Sequence, residues 1–224
     1  MSRAVIVLLA IACTMHGPAH AGGDAQLCRN GSFAAQESAF ALAKVAGTSR
    51  SYLRSDLPPC PNDSAACRGR GYVVPGDTVL TGATSAAYVC VLFPGRHGGS
   101  AGYVRQDEIL PQPVATNVPL SNWAGDWRDG DNRIVMRVVG TRLTASGNAY
   151  WPSANPSLKE RPGGPNLGEM SGSAIPVGNR AVFAGDDSAD CRVTLTLLLP
   201  FLLAADNSRC GGMNVSFTGV YQRP

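Results

Sequence analysis

The stretch AAYVCVLFPGRHGGSAGYV, residues 86 to 104, decides the fold class of this chain of 224 residues. Apolar and polar residues alternate on both sides of a glycine-rich segment, residues 94 to 99. Alternation with a period of two is typical of half-buried strands, and a short turn between two such runs predicts a β-hairpin. We therefore expect antiparallel β structure here, with His97 on the turn.

The first 21 residues have the pattern of a secretory signal peptide. Arg3 precedes the apolar run AVIVLLAIA, residues 4 to 12, and the small-residue tripeptide Ala19-His20-Ala21 follows two helix breakers. We expect cleavage after Ala21 and a periplasmic or secreted protein. The run is too short for a transmembrane segment. Lipid attachment at Cys13 is the weaker alternative, because Ala10 is a poor match to the residue usual at that place.

Cleavage would leave an even set of six cysteines, which in an exported chain predicts disulfide bonds. Six cysteines allow fifteen pairings. We favour Cys60 with Cys67, which would close a turn, and Cys191 with Cys210, which would close a hairpin. Four of the six precede residue 91 and two follow residue 190, which indicates two separately stapled units; the set is Cys28, Cys60, Cys67, Cys90, Cys191 and Cys210.

The charge pattern argues against a nucleic-acid partner. The formal net charge is +3 and falls by one when Arg3 leaves with the signal, and no run of lysine or arginine is present. Such a chain lacks the electrostatic footprint of a nucleic-acid-binding protein. Anionic glycans remain open as ligands.

The proline-rich segment PQPVATNVPLS, residues 111 to 121, marks the best domain boundary. We expect an N-terminal segment over residues 22–41, a first domain over 42–111, a linker over 112–121 and a second domain over 122–224. Short runs with strand patterns recur in both domains, and Pro200 splits the apolar run 193 to 205 into a predicted hairpin. The segment 33 to 47 fits a short helix, or an edge strand in its second half. Residues 155 to 168 are typical of a long surface loop.

The fold class that follows is all-β, a small barrel joined to a second disulfide-stapled antiparallel barrel or sandwich. In its strand patterns GYVVPGDTVL, YVCVLF and AGYVRQDEIL, with Gly102, Tyr103 and Val104 near the end, the first domain resembles the bacterial Src-homology-3-like domain. The resemblance implies a small β-barrel in an exported protein that meets the cell wall.

The second domain opens with NWAGDW and ends with CGGMNVSFTGVY. In these residues it resembles domains of exported proteins that inhibit lysozyme-type enzymes, and Gly125-Asp126-Trp127 also resembles the first strand of lipocalin-like barrels. We expect the tryptophan-rich first strand and the last strand, with Phe217 and Tyr221, to pair and close a barrel.

Few residues are suited to catalysis. His97 would be the only histidine after cleavage, so a serine or cysteine nucleophile lacks an evident base and a zinc site lacks ligands. We expect no catalytic residue, no metal and no cofactor. Two alternatives stay open: a hydrolase that uses a pair of carboxylates, and a calcium ion bound near Asp129 and Asp131, with Asp126 and Asn132 as further ligands.

The candidate ligand-binding residues are aromatic and basic. Five aromatic residues of the first domain could line a groove or fill its core, namely Tyr52, Tyr72, Tyr88, Phe93 and Tyr103. The turn would place two basic residues at the rim of such a groove. We predict a ligand site formed by Tyr52, Tyr72, Tyr103, Arg96 and His97.

These observations favour a non-catalytic periplasmic binding protein. We expect an inhibitor or immunity-type protein against a peptidoglycan hydrolase, acting through loop 155 to 168 or the turn Cys210-Gly211-Gly212. The alternative is a module that binds peptidoglycan itself, through its stem peptides or its glycan.

Overall fold

The structure is a computed structural model that describes residues 27–36, 39–95, 99–152, 165–185 and 191–224. Two antiparallel sheets contain nearly all of its regular structure, which confirms the predicted all-β class. Single 3₁₀ turns occur at Asn30–Ala35, Ala65–Cys67, Gln106–Glu108 and Leu120–Asn122. Within these residues, no helix has the length and apolar character that a bilayer crossing requires.

The first sheet has seven strands, and the last of them, β7, ends inside the proline-rich segment. Its spatial order is β3-β2-β6-β5-β4-β1-β7. The predicted hairpin is formed by β5 and β6, which pair from Tyr88–Arg105 to Phe93–Ser100. The strands are β1 Ala41–Val45, β2 Ser51–Arg54, β3 Arg68–Val73, β4 Thr78–Ser85, β5 Tyr88–Phe93, β6 Ser100–Arg105 and β7 Ile109–Gln112.

The second sheet has eight strands in the order β11-β10-β9-β8-β15-β14-β13-β12. Consecutive strands are neighbours, and the first strand, β8, pairs with the last, β15. The two ends of the order, β11 and β12, lie beside each other at Gly172 and Ala184, so the sheet forms a nearly closed up-and-down barrel. The strands are β8 Gly125–Asp129, β9 Asn132–Val139, β10 Arg142–Trp151, β11 Asn166–Ala174, β12 Arg180–Ala184, β13 Arg192–Leu198, β14 Phe201–Asp206 and β15 Gly219–Gln222.

Large side chains fill the barrel. Trp127 of β8 and Tyr221 of β15 are fully buried inside it. The Trp127 indole donates to the Trp123 carbonyl at 2.9 Å, and the Tyr221 hydroxyl donates to the Phe217 carbonyl at 2.9 Å. These two buried groups thus have hydrogen-bond partners, whereas the indole N–H of the fully buried Trp123 has none among the described residues. Arg223, which follows β15, lies over Trp127 of β8, with its guanidinium 4.5 Å from the centre of the Trp127 ring.

A second apolar cluster lies between the two sheets. Phe33, in the turn Asn30–Ala35, is fully buried there against residues of both sheets. Leu80 and Tyr103 come from the first sheet, and Phe201 and Leu203 come from the barrel. Because one buried cluster contains apolar side chains of both sheets, the sheets share this part of their core.

The described residues form three disulfides, and none of these links the two sheets. Cys60–Cys67 and Cys191–Cys210 are the pairings that we favoured, with Cα atoms 5.5 Å and 4.6 Å apart. The third, Cys28–Cys90, joins the N-terminal segment to β5, with Cα atoms 5.5 Å apart. It holds the turn that carries Phe33 against the first sheet.

The structure decides between the two alternatives for segment 33 to 47, shortens the expected loop 155 to 168 and confirms the hairpin at Pro200. Segment 33 to 47 contains no α-helix within the described residues: its first part belongs to a 3₁₀ turn and its second part is β1. Residues 166 to 168 of the expected loop begin β11, because Tyr150 and Trp151 of β10 pair with Leu167 and Asn166; residues 153–164 lie outside the described residues. The predicted hairpin at Pro200 is confirmed by the pairing of β13 with β14.

The predicted last strand is shorter than expected. It covers Gly219–Gln222, and Phe217 lies in the preceding loop. The Asp206 carboxylate accepts the Phe217 N–H at 2.6 Å, so this amide bonds to a side chain instead of a neighbouring strand. Phe217 is nevertheless buried in the barrel, as its apolar character predicts.

The disulfide that anchors Phe33 should contribute more stability than the local one. Cys28 and Cys90 are 62 residues apart in sequence, whereas Cys60 and Cys67 are 7 apart. Because the longer loop restricts the unfolded chain more, we expect Cys28→Ser/Cys90→Ser to lose about 4 kcal/mol of unfolding free energy and Cys60→Ser/Cys67→Ser about 2.5 kcal/mol. Equilibrium denaturation with guanidinium measures both. Equal losses, or the reverse order, would contradict this role of the anchor.

Asp129, at the end of β8, should destabilise the fold at neutral pH. Burial beside β15 raises its pKa, while a backbone hydrogen bond from Val220 acts in the opposite direction. A carboxyl with a raised folded-state pKa favours folding when protonated and loses that contribution as the pH rises through this pKa. We expect Asp129→Asn to raise the unfolding midpoint at pH 7 by about 1–3 °C, with a gain that shrinks towards pH 4.

The exposed Asp131 lies in the same turn and offers a matched control. Scanning calorimetry between pH 4 and pH 7 measures the unfolding midpoint of both variants. Asp131→Asn should leave this midpoint unchanged. A loss of stability in Asp129→Asn at pH 7 would mean that the charged carboxylate favours folding.

Candidate functional site

The first sheet carries a surface of interleaved arginine and tyrosine side chains. Tyr52 of β2 and Tyr72 of β3 are directly paired, and their ring centres are 6.0 Å apart in an edge-on arrangement. The residues between them along each strand are buried or glycine, so the alternation of the strand turns these side chains to one face. We call this face the arginine–tyrosine surface; it consists of Arg50, Tyr52, Arg68, Arg70 and Tyr72.

Two of its arginines lie over tyrosine rings. The Arg50 guanidinium is 4.5 Å from the centre of the Tyr72 ring, and that of Arg68 is 4.6 Å from the centre of the Tyr52 ring. Such contacts orient a guanidinium without neutralising its charge. Among the described residues, no carboxylate lies within ion-pair distance of Arg50, Arg68 or Arg70. The surface therefore combines uncompensated positive charge with aromatic area.

Asp63 connects the loop that precedes β3 to the neighbouring strands of the sheet. Its carboxylate binds Arg54 at 3.1 Å and Arg105 at 3.0 Å, and it accepts the Tyr88 hydroxyl at 2.8 Å. The Tyr88 hydrogen bond and the two guanidiniums hold the pKa of Asp63 below its usual range, whereas burial and the nearby carboxylate raise that of Tyr88. The network keeps Asp63 charged and ties its loop, which the Cys60–Cys67 bond closes, to β6.

A cleft of about 410 Å³ lies on the opposite face of β3. Gly69 and Gly71 line it, and each packs against Leu53 of β2: a Cβ at Gly69 would be 2.8 Å from the Leu53 carbonyl oxygen. No larger residue fits there without displacing the strand. The far wall is Asp56, whose side chain is 8% exposed and accepts the Cys28 N–H at 3.1 Å and Arg29 Nε at 2.9 Å.

The structure brings together two of the five predicted ligand-binding residues. Tyr52 and Tyr72 form the centre of the arginine–tyrosine surface. Tyr103 is only 6% exposed and faces the cluster between the sheets, where burial raises its pKa. It therefore does not reach the arginine–tyrosine surface. Arg96 and His97 lie outside the described residues.

Sequence reasoning missed the arginines. The alternation Arg68-Gly69-Arg70-Gly71-Tyr72 is a strand pattern with two arginines on one face, but glycine at every second position conceals the usual apolar signal. Of the other aromatic candidates, Tyr88 is buried, whereas Phe93 is at the surface and lies on β5.

The barrel contributes a second feature, which we call the braced loop, residues 206 to 218. The Asp206 carboxylate accepts hydrogen bonds from both ends of the loop, including Ser208 N–H at 3.0 Å and Phe217 N–H at 2.6 Å. Cys210 is bonded to Cys191, and Asn166 of β11 donates to the Met213 carbonyl at 2.9 Å. Met213 is 78% exposed at the outside of this fixed loop.

The proposed calcium ligands do not converge on one point. The Asp126 carboxylate binds Arg133 at 2.8 Å, and Asp129 is enclosed beside β15. Asn132 uses both ends of its amide on backbone groups of Tyr150 and Ser216. In the part of the chain that the structure describes, no group of three or more histidine, cysteine or acidic side chains is arranged to hold a metal.

Comparison of the chain with protein-family models, with curated proteins and with solved structures yields no match.

Proposed function

We propose that this protein is a non-catalytic component of the cell envelope that binds peptidoglycan through its arginine–tyrosine surface. The observation that carries the proposal is the set of three arginines without carboxylate partners among the described residues, interleaved with two paired tyrosines. The three disulfides support an exported location, because such bonds persist in oxidising compartments.

The chemistry of peptidoglycan complements this surface. Its stem peptides carry free carboxylates, and a guanidinium binds a carboxylate through two parallel hydrogen bonds. Tyrosine rings offer flat apolar area and a hydroxyl to sugar rings and peptide planes. Arg50 and Arg68 are held over the rings, so less conformational freedom is lost when a ligand binds.

A second candidate function is inhibition of a peptidoglycan hydrolase through the braced loop. Hydrogen bonds from Asp206 and the bond Cys191–Cys210 fix this loop before any partner arrives, while Met213 stays exposed. A loop that is fixed in advance loses little entropy when it enters a cleft, and this favours tight binding. This candidate is the functional expectation drawn from the sequence.

Sedimentation with purified sacculi tests the first proposal. We expect residues 22–224 to pellet with sacculi, and Arg50→Gln/Arg68→Gln/Arg70→Gln to weaken the association at least about tenfold because three charge-assisted contacts are lost. The control is Arg137→Gln/Arg180→Gln/Arg192→Gln, which removes the same charge from exposed barrel positions. Equal weakening by both sets would indicate nonspecific attraction, and a protein that stays in the supernatant would refute wall binding.

Turbidity of the same sacculi with added lysozyme tests the second candidate. If the braced loop inhibits, the protein slows the loss of turbidity while it remains in the supernatant, and Met213→Asp abolishes the effect because a charge cannot enter an apolar subsite. Leu199→Asp is the control, since Leu199 is a partly exposed apolar residue on another turn of the barrel. An unchanged lysozyme rate at micromolar protein counts against inhibition of this enzyme class.

A further inference from the structure

A polar groove lies on the outer face of the barrel, whereas the arginine–tyrosine surface belongs to the first sheet. The groove has a volume of about 780 Å³, extends over β10 and β11, and reaches Gly185, which follows β12. Three directly opposed pairs of residues line it, namely Thr144–Ser173, Ser146–Ser171 and Asn148–Glu169. We infer that this groove, which we call the barrel groove, binds a neutral glycan chain.

The alternation of the strands directs these six side chains outwards. Their neighbours along the strands, such as Ala145, Ala149 and Met170, are buried in the barrel. Residues of the same face are about 4.8 Å apart across the two strands and roughly 6.7 Å apart along each strand. The barrel groove therefore presents polar groups at regular intervals on rigid elements, which suits a ligand with a repeating structure.

The polar groups at the centre of the barrel groove are available to a ligand. At one end, Arg142 donates to the Ser173 hydroxyl at 3.2 Å, and the Thr144 hydroxyl donates to the Arg137 carbonyl at 3.5 Å. Four exposed side chains have no hydrogen-bond or ion-pair partner among the described residues, namely Ser146, Asn148, Glu169 and Ser171.

The chemistry of these four side chains matches that of a saccharide. Serine hydroxyls and the asparagine amide both donate and accept hydrogen bonds, as sugar hydroxyls do. The Glu169 carboxylate accepts only, and its charge strengthens the hydrogen bonds that it receives from hydroxyl groups. A sugar chain can therefore use every one of these groups without bringing a charge of its own.

An exposed tyrosine continues the same face beyond the polar pairs. Tyr150 lies two residues after Asn148, opposite Leu167 of β11, and is 39% exposed. Its backbone N–H donates to the Asn132 side chain at 2.9 Å, which fixes the end of the strand. The flat apolar ring can pack against the C–H face of a sugar unit while neighbouring units bond to the polar side chains.

Other classes of ligand fit the barrel groove less well. A protein partner needs an apolar centre in its interface, and the exposed centre here is polar. An anionic polymer would meet the Glu169 carboxylate, which has no ion-pair partner among the described residues. A metal ion would need more ligands than this carboxylate, and the described part of the chain holds no group of three histidine, cysteine or acidic side chains suited to one.

Isothermal titration calorimetry with two neutral oligosaccharides tests the inference. The probes are tetra-N-acetylchitotetraose and cellotetraose, and neither carries a carboxylate or a peptide. We expect saturable binding of at least one of them to residues 22–224. Absence of saturable binding by both sugars at millimolar concentration would overturn the inference.

Variants locate the binding on the barrel groove. Asn148→Ala/Glu169→Ala should weaken the sugar at least about tenfold, because two hydrogen-bonding side chains are lost, one of them charged. The control is Thr194→Ala/Thr196→Ala, which removes two outward polar groups from β13 and should leave the affinity unchanged. Equal weakening by both double variants, or none by the first, would overturn the location.

Tyr150 separates stacking from hydrogen bonding. Tyr150→Ala should weaken the sugar at least about fivefold, whereas Tyr150→Phe should bind like the unchanged protein because the ring is kept. Equal losses in both variants would contradict the role of the ring.

The barrel groove and the arginine–tyrosine surface are independent sites, and the inference does not rest on wall binding. Sedimentation with sacculi that survives Arg50→Gln/Arg68→Gln/Arg70→Gln but is lost in Asn148→Ala/Glu169→Ala would support the groove and refute the proposed role of the arginines. Arginine-dependent sedimentation without binding of either oligosaccharide would refute the groove alone.

Discussion

Burial of Phe33 between the two sheets is the interaction on which the arrangement of this molecule depends. A sheet of seven strands has an apolar face that must be covered, and here residues of the barrel, Phe201 and Leu203 among them, provide part of the cover. Phe33 fills the junction from a six-residue 3₁₀ segment, and Cys28–Cys90 keeps that segment in place. Burying a phenylalanine side chain stabilises a fold by about 1.5–3 kcal/mol. The short segment that carries Phe33 therefore contributes substantially to the stability of the whole protein.

This constraint leaves the opposite end of the first sheet free for binding. The arginine–tyrosine surface lies on β2 and β3, at the edge of the sheet, while the cluster around Phe33 involves β4, β5 and β6. Rigid strands hold the tyrosine pair, and the Asp63 network joins the neighbouring loop to β6. Side chains on strands are positioned more accurately than those on loops, and this would favour the proposed binding of carboxylates by the arginines.

Local patterns explain which elements the sequence predicted. The hairpin of β5 and β6 and the hairpin at Pro200 follow from alternation and turn residues within about twenty positions. The orientation of Tyr103 depends instead on Phe33 and on residues near 200, and alternation identifies two faces without showing which one a distant strand covers. The loop position of Phe217 depends on the Asp206 carboxylate, which no propensity encodes. Arg68 and Arg70 were missed because Gly69 and Gly71 take the places where an apolar residue would mark the inner face of the strand.

The use of arginine rather than lysine determines which solution conditions change the electrostatic attraction of the arginine–tyrosine surface. All its basic residues are arginine, and only two of the nineteen basic residues in the chain are lysine. Guanidinium groups stay charged at any pH that an envelope experiences, so acidity cannot switch this surface off. Ionic strength can, because the screening length shrinks from about 30 Å at 0.01 M salt to about 8 Å at 0.15 M. At the proposed location outside the cytoplasm, the reach of this surface would therefore vary with the salt concentration of the habitat.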